Sequence, residues 1–365
     1  MIRFAGFVAA ILLPLCLPAA DEFDPSARRI AAESDYGPAL CHSLTFVKPK
    51  DHNARTWEGA ILRGMVIGLP SERMISYDLR SLAVAATWRG QLDLSKTHYR
   101  RSKGTLPARP SSTPTYLDLD TPGWVVATGR ESAPRLAGYY YHGRDVVIEF
   151  DFAGRRVLEQ VVAVGSSGYA RHVSSAPGGR AVRALVAARA GATILGRTAM
   201  WNEGSRGAAV ISGAESVTLH RDDRGLWAAI PASKEPLRLE IRFDPENSDA
   251  SALAKPESAA VDLSAKTKGG AARWTTPITS QGTLGPDDRA YTVDEFEVPS
   301  RPFGAWMRLS AIDFFENGNI AVSTFNGDVW IVSWEKEDLS AVTWRRFATG
   351  LYEPLGLRVV DEKVY

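Results

Sequence analysis

Residues 311–334 alternate apolar and polar side chains in short runs that Asn-Gly pairs separate. The breaks fall at Asn317-Gly318 and Asn326-Gly327, and the last run continues as Val-Trp-Ile-Val. Asn-Gly between alternating runs favours a tight hairpin, because a type I′ turn needs positive φ at both central residues. The pattern therefore predicts three short antiparallel strands in this segment.

Strand-like apolar runs separated by Gly-bearing turns also recur over residues 59–245. Near the middle, His142-Gly143-Arg144 and Ala153-Gly154 punctuate three β-rich runs, which indicates a meander. Short strands at this spacing predict a mostly β, antiparallel sandwich-like domain. Residues 180–200 fit two structures, because their Ala, Arg and Leu content favours a helix whereas their glycine breaks favour strands.

The rest of the chain divides by composition. Residues 1–20 are apolar after Arg3 and predict a secretory signal peptide, too short and too interrupted by proline for a membrane span. Residues 21–58 are polar and predict an N-terminal arm. Residues 246–287, rich in Ser, Ala, Lys and Gly, predict a linker or a surface excursion. Residues 288–365 return to strand patterns.

The two cysteines bear on export and on cofactors. Cys16 lies in the signal-like segment, but Leu15 precedes it where lipidation would require a small residue, so lipidation stays an open alternative. After cleavage only Cys41 remains, and an exported chain with one thiol forms no internal disulfide. The sequence Leu-Cys-His-Ser at 40–43 lacks the first cysteine of a C-x-x-C-H haem motif. We therefore expect no cofactor and no metal site in this chain.

Overall charge gives no sign of a nucleic-acid partner. The 365 residues contain 43 basic and 42 acidic side chains, for a net charge of +1. A chain that neutralises many phosphates carries a clear basic excess. No P-loop, no G-x-S-x-G elbow and no H-E-x-x-H occurs, and the six histidines show no metal-ligand spacing. We therefore predict no catalytic residues.

Aromatic side chains supply the candidate ligand site. A sugar ring packs its C–H face on an aromatic ring, although aromatic residues also fill the cores of β-sandwiches. In the run Gly-Tyr-Tyr-Tyr-His-Gly the middle tyrosine must lie on the opposite face of a strand from its neighbours. The predicted ligand-binding residues are Trp88, Tyr139, Tyr140, Tyr141 and His142.

Two charged patterns have both a functional and a structural interpretation. Glu149 and Asp151 share one face of a regular strand, either as a carboxylate pair for acid–base chemistry or as part of a solvated face. Residues 161–201 contain five arginines and no carboxylate, which indicates an anion-binding face or a strand face with acidic partners elsewhere: Arg171, Arg180, Arg183, Arg189 and Arg197. For both patterns the structural interpretation is favoured.

The segment from Gly304 to Tyr365, with its two Asn-Gly breaks, resembles the start of a sorbosone/glucose-dehydrogenase-like β-propeller. Residues 63–94 and 136–159 resemble the domain of unknown function that precedes such propellers in large exported proteins of planctomycetes and verrucomicrobia. The resemblance implies a sandwich-like domain followed by the first blade of an incomplete propeller, and a chain that is an N-terminal fragment. In those larger proteins a cytochrome-c domain commonly follows the propeller.

Two functions follow from this resemblance. The first is an exported, periplasmic or extracellular, non-catalytic binding module, with carbohydrate as the expected partner beside the remaining propeller and cytochrome domains. The second is one part of a sugar or alcohol dehydrogenase, whose haem c or quinone would sit in C-terminal domains beyond this chain. The sequence identifies neither a substrate nor an oligomeric state.

Overall fold

The computed structural model describes residues 30–31, 34–46, 59–97, 106–128, 132–202, 205–253, 261–288, 290–335 and 338–365. The predicted signal peptide, with Cys16, lies outside the described residues. The chain divides into two compact units between Arg273 and Trp274, an N-terminal unit (residues 28–273) and a C-terminal unit (residues 274–365).

The N-terminal unit is built almost entirely from antiparallel strands. The first eight are β1 (Ala39–Thr45), β2 (Ala60–Leu69), β3 (Arg73–Asp78), β4 (Ala83–Arg89), β5 (Leu92–Asp93), β6 (Arg109–Pro110), β7 (Tyr116–Leu117) and β8 (Trp124–Val126). The next eleven are β9 (Arg135–His142), β10 (Asp145–Phe152), β11 (Arg155–Val164), β12 (Gly168–Ser175), β13 (Val182–Ala187), β14 (Thr193–Leu195), β15 (Thr198–Trp201), β16 (Gly207–Gly213), β17 (Thr218–Arg221), β18 (Leu226–Ile230) and β19 (Leu237–Asp244). A short helix, α1 (Ala250–Leu253), and a 3₁₀ turn (Ser264–Lys268) follow.

These strands form three main sheets around one core. Their orders are β1-β2-β3-β4-β7, β14-β15-β16-β19-β12-β11-β10-β9, and β17-β18-β13-β8. Side chains from all three sheets, such as Tyr77, Phe150 and Trp124, share one buried apolar cluster. The unit is mostly β and sandwich-like, as the strand pattern predicts, and among its described residues no sheet closes into a barrel.

The eight-stranded sheet has an inner face on this core and an outer face on the other side. Along β11, Val157 and Val161 lie on the inner face, whereas Leu158 lies on the outer one. The segment after β19, predicted to be a linker or a surface excursion, packs Leu253 and Leu263 on the outer face. A few apolar residues within a polar composition are thus enough to hold this segment against the sheet.

Strand pairing also determines the structure of two other segments. The predicted N-terminal arm contains β1, which pairs along β2 and is largely buried. Residues 180–200, for which the sequence allowed either a helix or strands, form strands: β13 pairs with β18, and β14 pairs with β15. In both cases pairing with a neighbouring strand outweighs local composition.

The C-terminal unit is also β-rich. Its strands are β20 (Ile278–Ser280), β21 (Gly282–Thr283), β22 (Glu295–Phe296), β23 (Leu309–Phe314), β24 (Ile320–Thr324), β25 (Val329–Trp334), β26 (Val342–Ala348), β27 (Val359–Val360) and β28 (Lys363–Val364), with a 3₁₀ turn at Pro302–Gly304. The predicted meander is confirmed, because β23 to β26 pair in sequence order and β20 adds to β26. The opposite edge of this sheet is β23, whose Ile312 and Phe314 are exposed.

The Asn-Gly turns of this meander differ from the predicted type I′. Only Gly318 and Gly327 have positive φ, at 84° and 98°, whereas both asparagines stay at negative φ. In the first loop, Gly318 N–H donates to Phe315 and Phe315 N–H donates to Asn319. This is a three-residue loop, a type I turn closed by a glycine bulge, which needs one left-handed residue instead of two.

Candidate functional site

The three consecutive tyrosines alternate between the faces of β9, an edge strand of the eight-stranded sheet. Tyr139 and Tyr141 pack against the core, with ring centroids 5.6 Å apart. Tyr140 lies on the outer face, where its ring packs with Val147 and Leu158. Alternation along a strand produces this division: all three tyrosines are half-buried, and Tyr140 is the one whose ring lies on the outer face.

Tyr140 belongs to a hydrogen-bonded group of three side chains from three adjacent strands. Its hydroxyl donates to Glu149 Oε2 at 2.5 Å. Arg156 Nε donates to the other carboxylate oxygen, Glu149 Oε1, at 2.6 Å. Glu149 is 12% exposed and Arg156 is 47% exposed, so the carboxylate is held below a guanidinium that faces solvent. We call Tyr140, Glu149 and Arg156 the outer-face triad.

The charges of the outer-face triad are fixed by these contacts. The hydrogen bond from Arg156, together with that from Tyr140, holds the pKa of Glu149 below its ordinary value. The same carboxylate raises the pKa of Tyr140 and that of Arg156, through the hydrogen bonds it accepts. At neutral pH the triad is therefore a carboxylate, a neutral phenol and a guanidinium.

Open space adjoins the triad at Gly138. This residue lies two positions before Tyr140 on the same strand and pairs with Glu149 across β10. A Cβ built on Gly138 would meet no atom within 4 Å. A ligand can therefore approach the backbone here, with an aromatic ring at its side and charged groups next to it.

Charged pairs surround the triad. Asp151 forms an ion pair with Arg135 of the neighbouring strand, and both side chains are well exposed. Glu149 and Asp151 thus share one face, as the strand pattern predicts. Lys266 donates to Asp145 at 2.6 Å and to Gln160 at 2.8 Å, which fastens the 3₁₀ turn to this end of the sheet.

His142 lies close to the triad, and Trp88 does not. His142 ends β9 on the same face as Tyr140 and is exposed. Trp88 is fully buried with Met74 and Leu92 in a second cluster on the five-stranded sheet, and its Nε1 donates to Gln91 O at 3.2 Å. Its ring offers no face to a ligand, because it is buried in one cluster with Ile30, Ala31 and Leu40 of β1.

The arginines of residues 161–201 do not form a shared anion-binding face. Arg171 binds Glu159 and Arg183 binds Asp222, whereas Arg197 donates to the carbonyls of Ile211 and Val217. The guanidinium groups of Arg171, Arg183 and Arg197 thus have separate partners, which is the structural interpretation. The acidic partners lie outside the arginine-rich segment.

Sequence reasoning missed Arg156 and Gly138. A two-residue turn at Ala153-Gly154, with φ of 51° and 80°, joins β10 to β11. That turn pairs Asp151 with Arg156 and Glu149 with Leu158. The turn was visible in the sequence, and its register would have brought Arg156 diagonally next to Glu149.

Within the described ranges, no group of three or more His, Cys, Asp and Glu side chains is arranged to hold a metal ion. The described residues also contain no helix long and apolar enough to cross a membrane.

No family model matches the chain, and no curated protein matches it in sequence. Among solved structures, it is similar to YidC from Thermotoga maritima, with a TM-score of 0.30 and 10% identity over 56% of this chain and 50% of YidC. It is also similar to a heparinase III, with a TM-score of 0.28 and 8% identity over 78% of this chain and 41% of the heparinase. A second heparinase III structure, with methylated lysines, gives 0.28 and 7% over 74% and 38%. The chain thus spans half or less of each protein, and similarity this weak does not define a shared fold.

Proposed function

We propose that this chain is an exported, non-catalytic carbohydrate-binding module, with the outer-face triad as its ligand site. The observation that supports this most is the partly exposed ring of Tyr140 beside a paired carboxylate and guanidinium, over the open space at Gly138. A sugar presents an apolar C–H face and a rim of hydroxyl groups. The ring of Tyr140 suits the face, and Glu149 and Arg156 suit the hydroxyl groups as acceptor and donor.

The state of Glu149 favours binding over hydrolysis. Glycoside hydrolysis requires a carboxylic acid that stays protonated near neutral pH, and such groups have raised pKa values. The pKa of Glu149 is instead lowered by Arg156. Asp151, two residues further along the same strand face, forms an ion pair with Arg135. The two carboxylates are therefore suited to accept hydrogen bonds.

The wider setting of the module is part of the proposal. The signal-like residues 1–20 support export, and the meander of β23 to β26 has the four-stranded antiparallel form of a propeller blade. We infer that the sandwich-like unit acts beside propeller and cytochrome domains in a larger protein. Its part there would be to hold a saccharide.

A glycan array, followed by calorimetry with each soluble oligosaccharide that binds, tests this function. We expect Tyr140→Ala to weaken binding at least about tenfold, equal to about 1.4 kcal/mol, because the stacking ring is removed. Gly138→Val should weaken binding similarly, because its side chain occupies the open space while a β-branched residue suits the strand. Tyr291→Ala is the matched control, since Tyr291 is 87% exposed and belongs to the C-terminal unit.

Two outcomes would overturn the proposal. One is the absence of binding of the folded protein to every glycan on the array. The other is a glycan whose affinity falls equally in the Tyr140 and Tyr291 variants, which would move the contact away from the triad.

A further inference from the structure

A cavity of about 260 Å³ lies along β8, away from the outer-face triad. β8 is the last strand of the four-stranded sheet, with β13 on its other side. No residue of β13 lines the cavity, so it follows the other edge of β8, which within the described residues pairs with no strand; just before this free edge, Gly123 N–H donates to Ser81 O. Its described lining residues are Arg80, Ser81, Pro122, Trp124, Val125, Val126, Ser132, Ala133 and Pro134.

The hydrogen bonds to β13 determine which backbone groups of β8 face this edge. Leu185 N–H donates to Gly123 O, and Ala127 N–H donates to Ala181 O. In an antiparallel ladder the hydrogen-bonded positions alternate, so the backbone N–H and C=O groups of Val125 also point towards β13. The N–H and C=O groups of Trp124 and Val126 therefore point away from β13, towards the cavity edge.

The remaining lining residues define the chemistry of the cavity. Pro122, Ala133 and Pro134 give it small apolar walls, and prolines donate no backbone hydrogen bond that could compete for the edge. Arg80 is the only charged residue among the described lining residues, and its side chain is 54% exposed. Arg80 forms an ion pair with Asp78 through Nε and Nη2, each at 3.3 Å, and the N–H groups of Nη1 are left for an anion.

We propose that the free edge of β8 binds a short extended peptide that carries a carboxylate, by adding the peptide to the four-stranded sheet as a fifth strand. Alternating donors and acceptors at Trp124 and Val126 match the backbone of an extended chain. The cavity is smaller than the ~300–1,000 Å³ of typical small-molecule sites, which suits a short segment better than a large ligand. Arg80 selects a C-terminal carboxylate or an acidic side chain at one end of that segment.

The probe is a fluorescein-labelled peptide of sequence Thr-Val-Thr-Val-Ala with a free C-terminal carboxylate, titrated with the full chain by fluorescence anisotropy. Two further probes share its sequence: one has an amidated C-terminus, and one carries N-methyl groups on its inner amides. We expect the N-methylated probe to lose binding, because it lacks the strand donors. We expect Arg80→Gln to weaken the carboxylate probe about fivefold and to leave the amidated probe unchanged.

Val126→Pro tests the edge itself. Its N–H faces the cavity and takes no part in pairing with β13, so proline removes the donor and leaves the ladder in place. We expect at least about tenfold weaker binding of the carboxylate probe. Urea unfolding shows whether this variant is folded, and the N-methylated probe on the unmodified chain provides the same test without a substitution.

Tyr140→Ala separates this proposal from the carbohydrate site, and it should leave peptide affinity unchanged. An anisotropy of the carboxylate probe that does not rise with chain concentration, up to about 0.5 mM, would overturn the proposal. Equal binding of the parent and N-methylated probes would also overturn it, because the backbone edge would then not be the contact.

Discussion

Tyr77 donates a hydrogen bond to Glu159 across the core, and the two oxygen atoms lie 2.7 Å apart. Tyr77 belongs to the five-stranded sheet and Glu159 to the eight-stranded sheet. Arg171 completes the group with two bonds to the same carboxylate, at 2.7 and 3.0 Å. All three side chains are buried, and burial raises the pKa of Tyr77, which keeps its hydroxyl protonated and donating. A polar connection thus joins the two sheets inside an apolar core.

Removing one member of this buried group should be far more damaging than replacing all three. Arg171→Met leaves a buried carboxylate with one donor, and we expect a loss of about 3–5 kcal/mol in the free energy of unfolding. The triple variant Tyr77→Phe, Glu159→Leu, Arg171→Met removes every polar group and should lose less than the single variant. Urea unfolding of both variants tests this order, and a triple variant less stable than Arg171→Met would contradict it.

The two Asn-Gly loops of the C-terminal unit should respond differently to the same substitution. Both glycines have positive φ, but a Cβ at Gly327 would lie 2.1 Å from Leu351 O, whereas one at Gly318 meets nothing within 4 Å. Gly318→Ala should therefore cost about 1 kcal/mol from the backbone conformation alone. Gly327→Ala should cost more, because the backbone around Leu351 must also move. Thermal unfolding of the pair measures the difference, and equal losses would show that the Leu351 contact yields easily.

The Glu149 ion pair should stabilise the fold only while the carboxylate is charged. Because the folded-state pKa of Glu149 is lowered, its contribution is complete above the unfolded pKa near 4.5 and is lost as the pH falls through the folded value. Glu149→Gln should thus reduce the free energy of unfolding by about 0.5–1 kcal/mol at pH 7, and by progressively less below pH ~4. Asp151→Asn is the control, since its partner Arg135 is 77% exposed and we expect almost no change at either pH. A Glu149→Gln effect that stays constant with pH would exclude this electrostatic origin.

Cys41 should be almost inert in the folded protein. Burial raises the pKa of its thiol to about 11 from 9.0, and Tyr139 packs beside it. Since the thiolate is the reactive form, alkylation by iodoacetamide near neutral pH should be about a hundredfold slower than in urea. Peptide mass mapping measures the alkylation of Cys41 separately. Tyr139→Ala should raise the alkylation rate of the folded protein, because it removes the ring that packs beside the thiol. Equal rates with and without urea would contradict the buried position.

Part of the candidate site followed from alternation along strands. The outward position of Tyr140 and the shared face of Glu149 and Asp151 needed only the period of two. Alternation also places the neighbouring Arg155 and Arg156 on opposite faces of their strand. It does not tell which of the two arginines is buried and which faces solvent. Arg156 binds Glu149 near solvent, whereas Arg155 is buried and donates to the carbonyls of Gly178 and Pro231.

Burial of polar and aromatic residues depended on strands distant in sequence. Glu159 lies on an inner-face position that the alternating pattern would assign to an apolar residue, and only Arg171 of the next strand and Tyr77 of another sheet satisfy it. Trp88 is covered by residues near the start of the chain. Neither partnership leaves a local mark in the sequence, because register and sheet packing create both.

The outer edge of the C-terminal sheet has a practical consequence for handling the protein. β23 is a full-length edge strand that exposes Ile312 and Phe314, and within the described residues its only ladder is the one with β24. Such an edge can pair with the same edge of another molecule. Concentrated solutions should therefore contain reversible oligomers, detectable as a sedimentation coefficient that rises with loading concentration. A lysine in place of Ile312 should remove that dependence while leaving saccharide and peptide binding intact.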